Sequence, residues 1–143
     1  MKMNLKAVLV GRGSMNSRQT DVGLLLLRLF AGIALALGHG LGKFPPSPRF
    51  ISGVGELGFP MPLLFAWAAA VAELLGGFLL ALGLLTRPSS LLILFTMATA
   101  AFLAHGDDPF SGKEKALLFG FVALLFLIAG PGRYSIDRLL ARK

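Results

Sequence analysis

Cysteine is absent from all 143 residues. That excludes a disulfide, a thiolate-ligated metal and any dithiol redox step carried by this chain alone, in any compartment. Charge is scarce too: 15% of residues are charged and 55% hydrophobic, against about 25% and about 45–50% in a soluble domain. Between Leu63 and Leu85 the only polar side chain is Glu73. A soluble helical bundle needs polar faces on its helices; with a mean hydropathy of +0.76 the chain instead reads as one whose solvent is lipid. The net charge of +7 could suit nucleic acid, but the basic residues are dispersed over chain ends and connections. That is the pattern of membrane topology, and nucleic acid is not an expected partner.

The fold class expected is all-α, an integral membrane four-helix bundle. Residues 1–20 read as a basic tail whose one apolar run, Ala7 to Val10, is too short for a signal-peptide core. Residues 21–132 form the membrane domain, with spans at about 22–42, 62–85, 88–105 and 114–130. They are separated by Gly58-Phe59-Pro60-Met61-Pro62, by Thr86-Arg87-Pro88 and by His105-Gly106-Asp107-Asp108-Pro109, and the last stops at Gly130-Pro131-Gly132. Residues 133–143 are a second basic tail. One side holds Lys2, Lys6, Arg12, Arg18, Arg87, Arg133, Arg138, Arg142 and Lys143; the other holds Lys43, Arg49, Lys113 and Lys115. The excess of basic residues predicts that both termini lie in the cytoplasm.

Two charges interrupt the spans. Arg28 lies within the first and Glu73 within the second, each at a cost of about 2.5–3.5 kcal/mol at a helix centre. At about 1.5 Å per residue, Arg28 falls about 21 Å and Glu73 about 17–20 Å below the outer ends of their helices. The depths match, and an intramembrane Arg28–Glu73 ion pair is expected. Glu73 shares a helix face with small residues, Ala69, Gly76 and Gly77 among them, while Gly32 lies one turn from Arg28; Gly32, Ala69, Gly76 and Gly77 are the expected close-packing positions. Such a pair either fixes helix register or handles protons or substrate.

His39 and His105 reach the same, outer end, together with Lys43 and Glu114, and these four residues form a candidate polar pocket. The histidines read as wetted helix ends, as ligand or proton-transfer groups, or, least favoured, as axial ligands of a haem. No other metal site is expected, and no catalytic residue is identified.

Several fragments taken together resemble the DoxX family of small bacterial membrane proteins. They are Leu25-Leu26-Leu27-Arg28-Leu29-Phe30, His39-Gly40 followed by Lys43, and Ala72-Glu73-Leu74-Leu75-Gly76-Gly77. Further matches are Leu82-Gly83-Leu84-Leu85-Thr86-Arg87, His105, and Gly130-Pro131-Gly132-Arg133-Tyr134-Ser135-Ile136-Asp137. The resemblance covers about residues 22–137. It implies a four-helix bundle in the bacterial inner membrane and links to quinol oxidase, to thiosulfate:quinone oxidation and to membrane redox complexes handling oxidative stress. The leading expectation is therefore a subunit or accessory factor of a quinone-linked redox system, without independent catalysis. Its polar pocket would take a quinone head group, and its partners would be lipid and membrane redox proteins. The alternatives are a small oligomeric transporter and a non-catalytic scaffold. A loose similarity of Leu29…His39-Gly40 to Leu94…His105-Gly106 hints at two repeated helix pairs.

Overall fold

A computed structural model describes residues 17–141. Lys2, Lys6, Arg12, Arg142 and Lys143, which carry part of the orientation argument, lie outside the described residues. Helix α1, Ser17–Leu35, continues through a π-helical turn, Ala36–Gly40, and a last turn, Leu41–Lys43. The remaining elements are α2 (Pro48–Glu56), α3 (Pro62–Leu82), α4 (Thr86–Thr99, extended by a second π-helical turn, Ala100–Ala104), α5 (Phe110–Ala129) and the short α6 (Ile136–Leu140). No strand occurs among the described residues.

Three helical stretches, Arg18–Lys43, Pro62–Leu82 and Thr86–Ala104, are long and apolar enough to cross a membrane. Helix α5 has 20 residues, but its N-terminal part carries Lys113, Glu114 and Lys115. Large apolar side chains stand outward along the bundle, with Phe30, Phe102, Phe121 and Ile128 each at least 66% exposed. In water such faces would be an aggregation hazard; in hydrocarbon they are the solvated surface.

Local chemistry sets the boundaries. The Ser47 side chain accepts a hydrogen bond from Phe50 N at 3.2 Å, and Pro48 begins α2. Helix α3 ends where Gly83 adopts φ 66° and its N–H donates to Leu80 O at 3.0 Å, while Leu84 N–H returns to Leu79 O. The connection between residues 43 and 61, to which no element was assigned from the sequence, contains α2. Phe50, Val54 and Leu57 turn inward from this amphipathic helix, while Arg49, Ser52 and Glu56 stay exposed.

Helix α1 packs on α3, α3 on α4 and α4 on α5, with a lighter contact between α1 and α5. At the first of these interfaces the backbones touch. A Cβ on Gly77 would lie 2.8 Å from Gly32 O and 3.0 Å from Ala36 N, and one on Gly40 would lie 2.7 Å from Glu73 C. Gly32, Ala36 and Gly40, spaced by four, thus form the seam on α1. Gly32 and Gly77 meet at the α1–α3 seam, and Gly76 faces α4, where a Cβ would sit 3.5 Å from Ile93 Cγ1. Leu35, Leu80, Ile93, Met97, Ala123 and Phe126 fill the core between the helices.

This seam fixes the register. Gly40 stands level with Glu73, and Gly32 level with Gly77 and Ala81. Helix α3 therefore projects beyond the end of α1, and equal distances from the two helix ends are not equal depths. Twelve residues of α1 separate Arg28 from Gly40, about 18 Å.

Candidate functional site

The expected Arg28–Glu73 pair does not form, because the register holds the two residues apart. Glu73, fully buried on α3, accepts two hydrogen bonds from Lys43 Nζ, at 2.6 and 2.8 Å. Lys43 comes from the last turn of α1 and is one-third exposed along its side chain, against 1% for Glu73. Its ammonium also lies 5.7 Å from the centroid of the Phe50 ring. A lysine at the helix end can reach a buried carboxylate because its stem is long and flexible.

Arg28 serves the opposite end of the bundle. It is buried and donates from Nε to Ala81 O at 3.1 Å, from Nη2 to Tyr134 O at 2.7 Å and from Nη1 to Pro131 O. A Cβ on Gly83 would lie 2.6 Å from Arg28 Nη1, so that glycine supplies both the left-handed turn and the space. Asp137 completes the closure. Its carboxylate accepts from Leu85 N at 2.8 Å and Thr86 N at 2.9 Å, which caps α4. Burial pushes the Asp137 carboxyl upward, but the N–H groups of Thr86 and Leu85 and the nearby Arg28 charge more than offset it and hold it below its ordinary value.

Two adjoining chambers meet at Glu73. The larger, about 220 Å³, lies among α2, α3 and α4, with Phe50, Val54, Phe59, Phe65, Ala69 and Phe95 on its walls. Thr96, Thr99, Lys43, Glu73 and His105 are its polar lining. The smaller, about 160 Å³, is lined by His39, Lys43, Glu73, Met97, His105, Lys115 and Phe119. Lys43, Glu73, Ala100 and His105 border both. His39 and His105 therefore line one chamber, and the buried carboxylate lies against it.

Both histidines are delivered by π-helical turns. His39 lies within the first, and its ring meets the Phe119 ring edge-on at 5.6 Å. His105 ends the second, its N–H donating to Ala100 O at 2.9 Å. A single-turn π-bulge rotates the residues that follow it relative to the helix before it, and such bulges recur at functional sites. The His105 Nδ1 lies 2.7 Å from Asp108 Oδ2, which favours the proton on Nδ1 and leaves Nε2 as an acceptor.

Of the expected pocket residues, the structure brings together His39, His105 and Lys43 and adds Glu73. Glu114 is exposed and lines neither chamber; a helix advances 100° per residue, and its neighbour Lys115, also exposed, is the one that borders the smaller chamber. Ala69 lines the larger chamber rather than a helix seam. Sequence reasoning missed Asp108, Lys115, Asp137 and the whole of α2. The signal for Asp108 was its position three residues beyond His105; for α2 it was the spacing of Phe50, Val54 and Leu57. No group of three or more metal-ligating side chains converges among the described residues.

A sequence model of the family described as DoxX matches residues 23–106. Inner membrane protein YqjF of Escherichia coli K12 is 36% identical over 135 residues, covering 86% of this chain and 95% of that protein. Inner membrane protein YphA of the same organism is 32% identical over 125 residues, covering 79% and 89%. CatD of Bacillus subtilis, provisionally named an oxidoreductase, is 33% identical over 109 residues, covering 76% and 77%. No solved structure gives a significant match.

Proposed function

This chain belongs to the DoxX family of membrane proteins, and from that premise we propose that it is an accessory subunit of a quinone-linked redox system in the bacterial inner membrane. In this reading α1, α3, α4 and α5 all cross the bilayer, with both termini in the cytoplasm. The observation that carries it is the larger chamber, with apolar walls on most sides and Lys43, Glu73 and His105 at one end. A few convergent polar groups within apolar walls suit a ligand that is itself apolar except at its head. The inner-membrane names of YqjF and YphA support the location, and the name of CatD supports the redox association.

A quinone fits this donor set. When bound it supplies two-electron, two-proton redox chemistry. The chain's own part is to bind and orient. Lys43 Nζ, already on Glu73, is the donor for a ring carbonyl; His105 Nε2 is the acceptor for a ring hydroxyl. Phe50, Val54 and Phe95 exclude water from the ring faces. Without cysteine, any dithiol step belongs to a partner.

The test is the quinone content of protein purified in mild detergent, measured by solvent extraction and absorbance. Wild type should retain quinone, and Ala69→Trp, which fills the chamber, should lose it while the protein still melts as a folded one. Equal retention by both proteins would remove the chamber from consideration. Quinone-free wild type would remove the quinone reading altogether.

A further inference from the structure

The end of the bundle that Arg28 closes carries a second recess, apart from the two chambers. It is an open groove of about 460 Å³ lined by Leu82, Arg133, Tyr134, Ser135, Ile136 and Leu139. Leu82 comes from α3 and the rest from the closing segment and α6. Leu82 and Leu139 are more than half exposed, and Arg133 and Tyr134 are exposed as well. The groove thus joins an apolar strip to a guanidinium and a phenol.

Its shape is held from beneath. Arg28 binds the carbonyls of Pro131 and Tyr134 on either side of Arg133, and Asp137 N donates to Gly83 O at 2.8 Å. The two carboxylates nearby are turned to backbone: Asp21 accepts from Arg133 N at 3.1 Å, and Asp137 from Leu85 N and Thr86 N. Among the described residues, no side chain forms a hydrogen bond or ion pair with the Arg133 guanidinium. Arg87 and Arg138 are also exposed at this end, and Arg87 Nη2 would lie 4.0 Å from a Cβ on Gly130. The local field is positive.

We propose that this groove binds one anionic phospholipid, its phosphate on Arg133 and an acyl chain along Leu82, Ile136 and Leu139. A guanidinium offers phosphate a planar two-bond fork. Tyrosine favours the headgroup level of a bilayer. Basic residues beside a membrane helix attract anionic lipid. Charge also decides against the chain's own N-terminal residues as occupant, since residues 1–16 carry Lys2, Lys6 and Arg12 and no acid.

The test is native mass spectrometry of the full chain in detergent, titrated in parallel with dioleoyl phosphatidylglycerol and dioleoyl phosphatidylcholine. Wild type should retain the anionic lipid about five-fold more strongly, the size expected from one interfacial arginine. Arg133→Gln should bring the two lipids level, and because Arg133 is anchored through its backbone N–H the fold should survive, checked by thermal melting. Leu139→Gln should weaken retention of phosphatidylglycerol, while inorganic phosphate at millimolar concentration should not displace it. Equal retention of both lipids by wild type overturns the proposal, as does a preference that persists in Arg133→Gln. Displacement by inorganic phosphate alone would mean a simple anion site and overturns the lipid assignment.

Discussion

Glu73 and Arg28 look alike in the sequence and behave differently in the fold. Glu73 is a buried carboxylate whose partner, Lys43, arrives from a helix end, so the pair stands where a chamber begins. Removing one member leaves an uncompensated buried charge. Lys43→Met should cost about 3–5 kcal/mol, whereas Lys43→Met with Glu73→Gln should recover much of that loss; thermal unfolding in detergent measures both. Arg28 instead spends its fork on three carbonyls from two segments. Arg28→Lys keeps the charge but cannot span those acceptors, so it should destabilise by at least about 1.5–3 kcal/mol, the worth of one charged hydrogen bond. Asp137 supplies the pH dependence. Its carboxyl lies lower in the folded than in the unfolded chain, so its contribution is full above the unfolded value of about 3.9 and drains away as pH falls through the lower folded value. The protection of the Leu85 and Thr86 amides, measured against their intrinsic exchange rates, should therefore fall in acid, and Asp137→Asn should abolish that acid response.

The helices owe their arrangement to places where side chains are missing. Gly32, Ala36 and Gly40 allow α1 to lie backbone to backbone on α3, and that contact decides which residues are level. Gly77→Leu should force the seam apart, costing about 1–3 kcal/mol by overpacking. Gly38→Leu, where a Cβ meets nothing within 4 Å, should melt almost as wild type. Much of this was legible in the sequence. The apolar runs located α1, α3 and α4, although α1 begins at Ser17 rather than about 22 and α3 ends at Leu82 rather than about 85. The small residues around Glu73 marked its packed face, while His39 and His105 line one chamber. Register was not legible, because hydropathy has no information on how far one helix slides along another. The expectation of level ends turned a Lys43–Glu73 pair into an Arg28–Glu73 pair. Helix α2 escaped because it is only nine residues long and carries two glycines, Gly53 and Gly55, even though Phe50, Val54 and Leu57 recur at helical spacing. The π-helical turns escaped because no local propensity separates i−5 from i−4 bonding.

Taken whole, the molecule has unlike ends. One is closed by Arg28 and Asp137, which tie the chain's last described segment across the bundle. The other opens into two chambers that share Glu73, Lys43 and His105, one apolar and one holding both histidines. Helix α2 forms the outer wall of the apolar chamber, so a lipid-soluble ligand would contact it as well as α3 and α4. An accessory role further implies that the purified chain, reconstituted alone in vesicles, moves no solute; a flux above that of empty vesicles would favour transport. A photoreactive quinone analogue, irradiated with the protein in native-like membranes and mapped by peptide mass spectrometry, bears on the chamber itself. Labelling should concentrate on Phe50, Val54, Phe95 and their neighbours, compete with unlabelled quinone and disappear in Ala69→Trp. Labelling spread evenly over the lipid-facing residues, unaffected by competitor, would mean that the chamber holds no quinone.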